Sequence, residues 1–275
     1  DSEWFNNASL NIASGNSGKF NIELADAPSE ASIDIAGGSF TNPVNEAYIN
    51  DNSLFYPFGS GYTVGVKSEV IDSLPAGTYV FGNVAGTLDD VKAAGAVALN
   101  GYDAYATITD AADKAEAGDT ITLVADVTDE GITIGNSVTL DLSGFTVTGN
   151  ISIAASNVTI TDAAEEKGEI AGAIDITGTA EAPITNINFD GITVSGTSYF
   201  LASNGVTHVG YVVRLQYAAV TMNNVVIDSE IDETKPDEVQ IISTVTSDVT
   251  LNNVTIAPAV TGNSAKSVYG VVFRS

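Results

Sequence analysis

Residues 137–149 read SVTLDLSGFTVTG, and this pattern returns in looser form further along the chain. The later copies are PITNINFDGITVSG at 183–196, AVTMNNVVIDS at 219–229 and DVTLNNVTIAP at 248–258. A short unit that recurs along a chain is typical of a solenoid. Apolar and polar residues alternate in each copy, as at Val138, Leu140 and Leu142, which predicts a strand with one buried face. The sequence therefore predicts a parallel β-helix.

The spacing of the copies fits one turn of a coil with loops of variable length. Val138 and Val158 lie 20 residues apart, and Val220 and Val249 lie 29 apart. Each strand meets a polar step and then resumes, and the later steps are Asn pairs at 223–224 and 252–253. Because Asn tolerates a left-handed backbone, we expect corners where equivalent Asn side chains stack and share amide hydrogen bonds. The alternative role for this Asn row is ligand binding.

Composition excludes several classes of protein. With 275 residues and 44% apolar content, the chain has enough apolar surface for a sizeable core in one elongated or two small domains. Acidic residues outnumber Lys and Arg by 35 to 9, and a net charge of −26 repels nucleic acid and anionic membranes. No apolar run is long enough for membrane insertion, and any signal peptide is expected to have been removed. The absence of cysteine excludes disulfides and fits an exported bacterial protein.

The N-terminal part, residues 1–72, is predicted to be a smaller β region. Strands are expected at 8–15, 19–25 and 30–40. Residues 41–65 contain enough Pro, Asn and Gly to predict an irregular loop that packs through its large apolar side chains. Stacking on sugar rings is the alternative role of these side chains. They are Tyr48, Leu54, Phe55, Tyr56, Phe58 and Tyr62.

Two short helices are predicted after this region. Residues 73–103 form a predicted junction with a helix at about 87–94, and a second helix is expected at about 107–117. Thr107 or Thr109 is available as the N-cap of the second helix, and Gly118 as its terminating C′ residue. A helix here would cover the unpaired backbone of the first turn of the coil, which is expected to occupy residues 104–275.

A more specific resemblance lies at residues 105–149. Here an Ala-rich helix leads into GDTI at 118–121, LVADV at 123–127 and VTLDLSG at 138–144. The run resembles the start of right-handed parallel β-helix modules in large bacterial cell-surface proteins of the pectin-lyase-like superfamily. GGSF at 37–40 resembles the closing turn of a preceding module. The resemblance implies an all-β, right-handed solenoid with an N-terminal capping helix and an extracellular or cell-surface location. It implies no particular activity.

The same superfamily contains polysaccharide lyases and glycosidases, so we searched for their catalytic residues. Hydrolases of this fold need two or three clustered carboxylates. The candidates are Asp141, Asp162, Asp175 and Asp190. The Asp-Asp, His-Gly and Arg-x-Lys motifs that resemble polygalacturonases are missing. Arg214 and Arg274 occupy matching places in what look like successive repeats, so we expect structural pairing with carboxylates rather than a lyase base.

No cofactor is predicted. His208 is the only histidine, which argues against zinc, and it is expected in a loop. Neither a phosphate-binding loop nor a nucleophile-elbow motif occurs. Calcium remains the alternative, because oxygen ligands are abundant at 228–237, DSEIDETKPD, although their spacing is not that of an EF-hand.

The sequence thus predicts a non-catalytic extracellular surface module, structural or adhesive, with no nucleic-acid partner. The last residues, VYGVVFRS at 268–275, resemble a strand without a polar cap, so we expect either that the protein continues beyond this sequence, which is the favoured interpretation, or that its open coil end associates with a second copy. Surface glycans and host proteins are the other expected partners. One alternative is a carbohydrate-binding or polysaccharide-degrading protein, and a second is a phage tail or virion component. The candidate sugar-facing aromatic residues are Tyr199, Phe200, Tyr211 and Tyr217.

Overall fold

A computed structural model describes residues 9–12, 32–58, 61–71, 74–201, 205, 207–232, 238–261 and 267–274. The chain divides into two compact units. The first unit is Asp1–Gly95 with Tyr102–Ala104, and the second is Ala96–Gly101 with Tyr105–Ser275. Most of the segment predicted as a junction therefore belongs to the first unit. Both units consist mainly of β-strands.

The first unit combines short sheets with short helices. Its strands are β1 (Ser9–Ile12), β2 (Ser32–Ile35), β3 (Gly38–Phe40), β4 (Ser53–Phe58), β5 (Gly61–Val66), β6 (Tyr79–Phe81) and β7 (Val84–Gly86). Its helices are a 3-10 turn (Glu46–Tyr48), α1 (Lys67–Val70) and α2 (Leu88–Ala93). β1 and β2 pair in parallel, whereas the strand predicted at 19–25 lies outside the described residues. The predicted helix at 87–94 is confirmed as α2, which Thr87 caps through its side chain.

The prediction of an irregular loop at 41–65 is wrong. β4 and β5 pair there as an antiparallel hairpin. Leu54 and Phe55 are consecutive and both buried, because β4 is covered on both faces. A strand buried on both faces lacks apolar-polar alternation, which explains why the sequence pattern failed to predict it. Phe55 stacks on Tyr62 with ring centroids 5.1 Å apart, so these two aromatic side chains serve packing.

The second unit is a series of parallel strands preceded by one helix, α3 (Ile108–Lys114). Its early strands are β8 (Ala98–Asn100), β9 (Asp103–Tyr105), β10 (Thr120–Leu123), β11 (Val127–Thr128), β12 (Ile132–Ile134), β13 (Thr139–Asp141), β14 (Val147–Thr148), β15 (Ile151–Ile153), β16 (Thr159–Thr161), β17 (Glu169–Ala171) and β18 (Ile174–Thr177). Residues 103 and 104 of β9 belong to the first unit and pair with β6.

The later strands of the second unit are longer on average. They are β19 (Ile184–Asp190), β20 (Thr193–Val194), β21 (Ser198–Leu201), β22 (His208–Gln216), β23 (Ala218–Asn223), β24 (Val226–Ile227), β25 (Glu230–Asp232), β26 (Glu238–Val245), β27 (Asp248–Asn252), β28 (Thr255–Ile256), β29 (Ala259–Thr261) and β30 (Ser267–Arg274). His208 begins β22, so the expectation that it lies in a loop is wrong.

Three parallel sheets organise this unit. Sheet A contains β10, β13, β16, β19, β23 and β27, sheet B contains β11, β14, β17, β20, β24 and β28, and sheet C contains β12, β15, β18, β22, β26 and β30. The chain visits A, B and C in turn, and we call each such set of three strands a rung. β21 pairs antiparallel with β22, and β25 pairs with β29. Six rungs in parallel register are compatible with an all-β solenoid.

The core forms from residues that occupy equivalent positions in successive rungs. Leu140 pairs with Ile160, which pairs with Phe189, which pairs with Met222, and all four are buried. The alternating apolar positions of the first copy, Val138, Leu140 and Leu142, are buried as predicted, whereas Leu251 of the last copy is exposed. Burial of a whole column in every sheet, at roughly 1.5–3 kcal/mol for each large side chain, is the main stabilising contribution.

The predicted Asn corners are also confirmed. Asn224 and Asn253 both have a φ of 54°, in the left-handed region. The Asn253 amide donates to Asn224 Oδ1 at 2.8 Å, and the Asn252 amide donates to Asn223 Oδ1 at 2.9 Å. Each Asn thus satisfies a polar group of the next rung at a position that would strain most other residues.

Helix α3 covers the first rung, as predicted. Thr107 is its N-cap and accepts a hydrogen bond from Asp110 N, while Ile108, Ala111 and Ala112 are buried. The prediction that Gly118 is the C′ residue is wrong. The helix ends at Ala115, whose backbone is extended, so the chain leaves without a left-handed C′ position.

Candidate functional site

The two ends of the rung stack differ in how much of them is covered. At the first end, β8 pairs antiparallel with β10, and α3 packs against β12. Thr133 N donates to Thr109 Oγ1 at 3.0 Å, and the Asn136 amide donates to the Ala112 carbonyl at 2.9 Å. Sheets A and C therefore have partners at this end within the second unit, whereas no strand in the described residues pairs with the outer edge of β11 of sheet B.

At the other end, β27, β28 and β30 are the last strands of sheets A, B and C. In the described part of the chain, no strand pairs with their outer edges. Leu251 is 38% exposed, although Met222, its equivalent one rung earlier, is 0% exposed. Phe273 is 66% exposed above Thr244, which is 1% exposed. We call this surface the open end, because its core-facing side chains are left uncovered.

Thr244 marks an imperfection directly beneath the open end. It takes the core position that Ile176 and Leu215 occupy in earlier rungs. Its hydroxyl is buried and has no hydrogen-bond partner. A buried unpaired hydroxyl costs about 1–3 kcal/mol, so the stack is weakened next to its exposed face.

A depression of about 690 Å³ lies at the corner between sheets C and A, beside the open end. Its wall includes Tyr217 and Thr246, with φ values of 47° and 45°, and the side chains of Asp248, Phe273 and Arg274. Left-handed backbone at bulky or β-branched residues is uncommon. Of the four candidate sugar-facing aromatic residues, Tyr217 is the one that lines this depression.

The other aromatic candidates belong to a separate cluster on sheet C. The Arg214 guanidinium lies 5.1 Å from the centroid of the Phe200 ring and 5.9 Å from that of Tyr211. Arg214 Nη1 is 3.3 Å from Asp175 Oδ2, to which the Tyr211 hydroxyl also donates at 3.4 Å. Burial raises the pKa of Tyr211. The cluster fastens β21 to β22, while Tyr199 is exposed on the other face of β21.

Both arginines pair with carboxylates, as predicted. Arg274 Nη2 lies 3.4 Å from Glu238 Oε1. The prediction that Arg214 and Arg274 occupy matching positions in successive rungs is wrong, because Arg214 aligns with Ser243 of β26 and Arg274 aligns with Val245. The strand between them in sheet C, β26, reads EVQIISTV and contains no arginine. Because it does not resemble β22 or β30, these two strands looked like successive repeats in the sequence although they lie two rungs apart.

Of the four candidate carboxylates, Asp162 and Asp190 line one depression of about 480 Å³, together with Lys167. Asp162 is buried and accepts hydrogen bonds from the backbone of Gly144, Ala164 and Gly168. Thr161 separates Asp141 from Asp190 along sheet A, and Asp175 lies on sheet C. A glycosidase needs two carboxyl groups that flank one bond, and Asp162 and Asp190 are the two candidates that share a surface.

The described residues show neither a metal site nor a membrane-spanning helix. They contain no group of three His, Asp or Glu side chains placed to hold a metal ion. Calcium was predicted as an alternative for the acidic stretch 228–237, of which the second half, residues 233–237, lies outside the residues that the structure describes. In the described ranges, no helix is both long and apolar enough to cross a membrane.

Comparison with known proteins leaves the functional question to the geometry. No protein-family model, curated protein or solved structure matches the chain.

Proposed function

We propose that the protein is a non-catalytic module of the extracellular surface, structural or adhesive, built on a right-handed parallel β-helix that associates through its open end. Three in-register parallel sheets visited in a fixed order support a β-helix. Right-handed connection of parallel strands is the general rule and supports the handedness. The resemblance of residues 105–149 to bacterial surface modules supports the location.

The open end is the observation that carries this proposal. A terminal unit of a repeat protein normally presents a polar outer face, and α3 covers the first rung. The last rung instead presents Leu251 and Phe273 beside three outer strand edges with which no strand pairs among the described residues. Unpaired edges and exposed apolar side chains together favour strand addition by another chain. The strongly acidic composition fits the solvated surface of a scaffold.

The proposal is tested by light scattering and electron microscopy of the full chain over a concentration series. We expect the mass to rise with concentration in both calcium and chelator. A particle that remains monomeric at millimolar concentration, with the amides of β30 protected from hydrogen exchange, would contradict association through the open end. Protection in a monomer would show that the edge is already covered within one chain.

Carbohydrate binding is the second candidate function, and the depression at the corner of sheets C and A favours it. Tyr217 and Phe273 supply apolar ring faces, and Asp248 and Arg274 supply hydrogen-bonding groups. A glycan array followed by calorimetry tests it, with Tyr217→Ala as the variant and Tyr102→Ala as an exposed aromatic control. Binding that survives Tyr217→Ala would place a glycan elsewhere.

A further inference from the structure

The outward face of sheet A consists of short polar side chains arranged in two columns. In every strand of this sheet two outward-facing residues flank one core-facing residue, as Thr159 and Thr161 flank the buried Ile160. Pairing stays in register at these positions through all six strands. The first column is Thr120, Thr139, Thr159, Asn188, Thr221 and Thr250, and the second is Thr122, Asp141, Thr161, Asp190, Asn223 and Asn252. We call these twelve residues the threonine grid.

The composition of the threonine grid differs from that of the outward face of sheet C. Seven grid residues are threonine, three are asparagine and two are aspartate, and none of them is buried. Lys, Arg, Glu, aromatic and large aliphatic residues do not occur at these positions. Sheet C instead carries Arg214 paired with Asp175, and Val272 at the register position of Arg214 on the last strand. Because long charged side chains are common wherever a surface only needs to be solvated, their exclusion from the grid favours a contact surface.

Both columns of the grid are fixed in position before any contact is made. Threonine is branched at Cβ and therefore has a restricted χ1 angle, so it loses little conformational entropy when a partner binds. In the second column, hydrogen bonds orient the amide and carboxylate side chains. The Asn252 amide donates to Asn223 Oδ1 at 2.9 Å, and Asp141 Oδ1 accepts a hydrogen bond from Ser143 N at 2.9 Å. The grid is thus a preorganised array of hydrogen-bonding groups.

The threonine grid has two regular spacings. Neighbouring strands lie roughly 4.7–4.9 Å apart, and alternate residues of one strand lie about 6.6 Å apart. Six strands therefore extend the grid over about 24 Å along the stack. Water oxygen atoms on the prism face of hexagonal ice form a rectangular array whose two spacings are of similar size. Because threonine hydroxyls and asparagine amides both donate and accept hydrogen bonds, water molecules held on the grid adopt its spacings.

We propose that the threonine grid is an ice-binding face, on which ordered water merges with the lattice of an ice crystal. The partner agrees with the grid in charge as well as in spacing. Ice has no net charge, and ten of the twelve grid residues are uncharged although the chain contains 35 acidic residues. The grid lies along the side of the stack rather than at its open end, so this inference does not depend on association between copies.

Partition into growing ice tests the inference with the full chain. A dilute solution is frozen slowly around a cooled probe, and the protein concentration is compared between the ice and the remaining liquid. Growing ice excludes solutes that do not bind it. We therefore expect the protein to be enriched in the ice, and an inert dye in the same solution to be excluded. Exclusion of the protein to the same degree as the dye would overturn the inference.

Thr159→Lys tests the grid itself, because Thr159 lies in the third of six rows and a long charged side chain there separates the grid from a flat lattice. Thr148→Lys, at an exposed threonine of sheet B, is the matched control. We expect the concentration that halves ice recrystallisation to rise at least about tenfold for Thr159→Lys and to stay unchanged for Thr148→Lys. Urea unfolding checks that both variants are folded, and Thr221→Lys repeats the test on another row. Unchanged activity in both grid variants, or an equal loss in Thr148→Lys, would refute the assignment.

A crystalline polysaccharide is another solid surface with a regular repeat. Sedimentation of the chain with cellulose or chitin crystals, combined with exclusion from ice, would overturn the inference. The ice assay also separates this inference from the proposed function. A chain that is excluded from ice and still grows in mass with concentration leaves association through the open end standing, whereas a monomer that partitions into ice overturns that association alone.

Discussion

Replacing Gly172 by alanine tests the close stacking of the corners between sheets B and C. Gly149, Gly172 and Gly196 occupy this corner in successive rungs. A Cβ added to Gly172 would lie 1.8 Å from the Gly149 carbonyl oxygen and 2.3 Å from its carbon. An ordinary van der Waals contact begins at 3.4 Å, so two neighbouring rungs must separate locally by about 1.6 Å.

The cost follows from the hydrogen bonds that such a separation breaks. Ile151 N donates to the Ala173 carbonyl at 2.9 Å, and Ala173 N donates to Asn150 Oδ1 at 2.9 Å. Each buried group left without its partner costs about 1–3 kcal/mol. Replacing glycine by alanine also stabilises the folded state by about 0.4–1 kcal/mol, because it reduces the conformational entropy of the unfolded chain. We therefore expect Gly172→Ala to lower the free energy of unfolding by about 3 kcal/mol.

Urea unfolding followed by far-UV circular dichroism measures this difference. Gly131→Ala is the matched control, because Gly131 lies at the same corner of the first rung and an added Cβ would meet nothing within 4 Å. This control should be neutral or stabilising by up to about 1 kcal/mol. If Gly172→Ala loses less than about 1 kcal/mol relative to Gly131→Ala, the corners are not packed as closely as the structure has them.

Three further predictions concern single side chains. Thr244→Val should raise the free energy of unfolding by about 1 kcal/mol, because its buried hydroxyl is unpaired; a loss in urea unfolding would contradict this. Asn224→Ala should lower the free energy of unfolding by about 2 kcal/mol, because alanine is strained in the left-handed region and the hydrogen bond from the Asn253 amide is lost. Asn224→Gly loses the same hydrogen bond without the strain, so it should cost less. Equal losses in the two variants would exclude strain as a cause. Because burial raises the pKa of Tyr211, the folded state holds that proton at higher pH than the unfolded state does, and stability should fall as pH rises above about 10. Tyr211→Phe should flatten that decline in pH-dependent unfolding, and an unchanged slope would assign it elsewhere.

The sequence was most informative where each strand has one buried face. The first strands of the repeat copies at 137–149 and 219–229 alternate cleanly, and Val138, Leu140, Val220 and Met222 lie in the core. β26 escaped prediction because Ile241 and Ile242 are consecutive and both face the core, while the polar Gln240 and Ser243 are buried. Two core-facing residues in sequence break the period of two on which recognition of a strand depends.

The site was predictable only in its local part. The exposure of the last described rung was predictable from the apolar strand at 268–275. The exposure of Phe273 depends only on its own strand and on the strand that pairs with it. The cluster around Arg214 depends instead on β21 folding back onto β22 and on Asp175 from the preceding rung. Such contacts join residues that are distant in sequence, and no local pattern encodes their register.

The acidic surface and the open end act over different distances, and this difference bears on calcium. Repulsion between two chains of charge −26 extends over a Debye length of roughly 30 Å at 0.01 M salt and 10 Å at 0.1 M, whereas apolar contact needs the rungs to touch. A divalent cation therefore strengthens association through screening alone, without occupying a site. If the effect of calcium is screening alone, sodium chloride at the same ionic strength reproduces it. If calcium instead occupies a specific site, sodium chloride does not reproduce the effect.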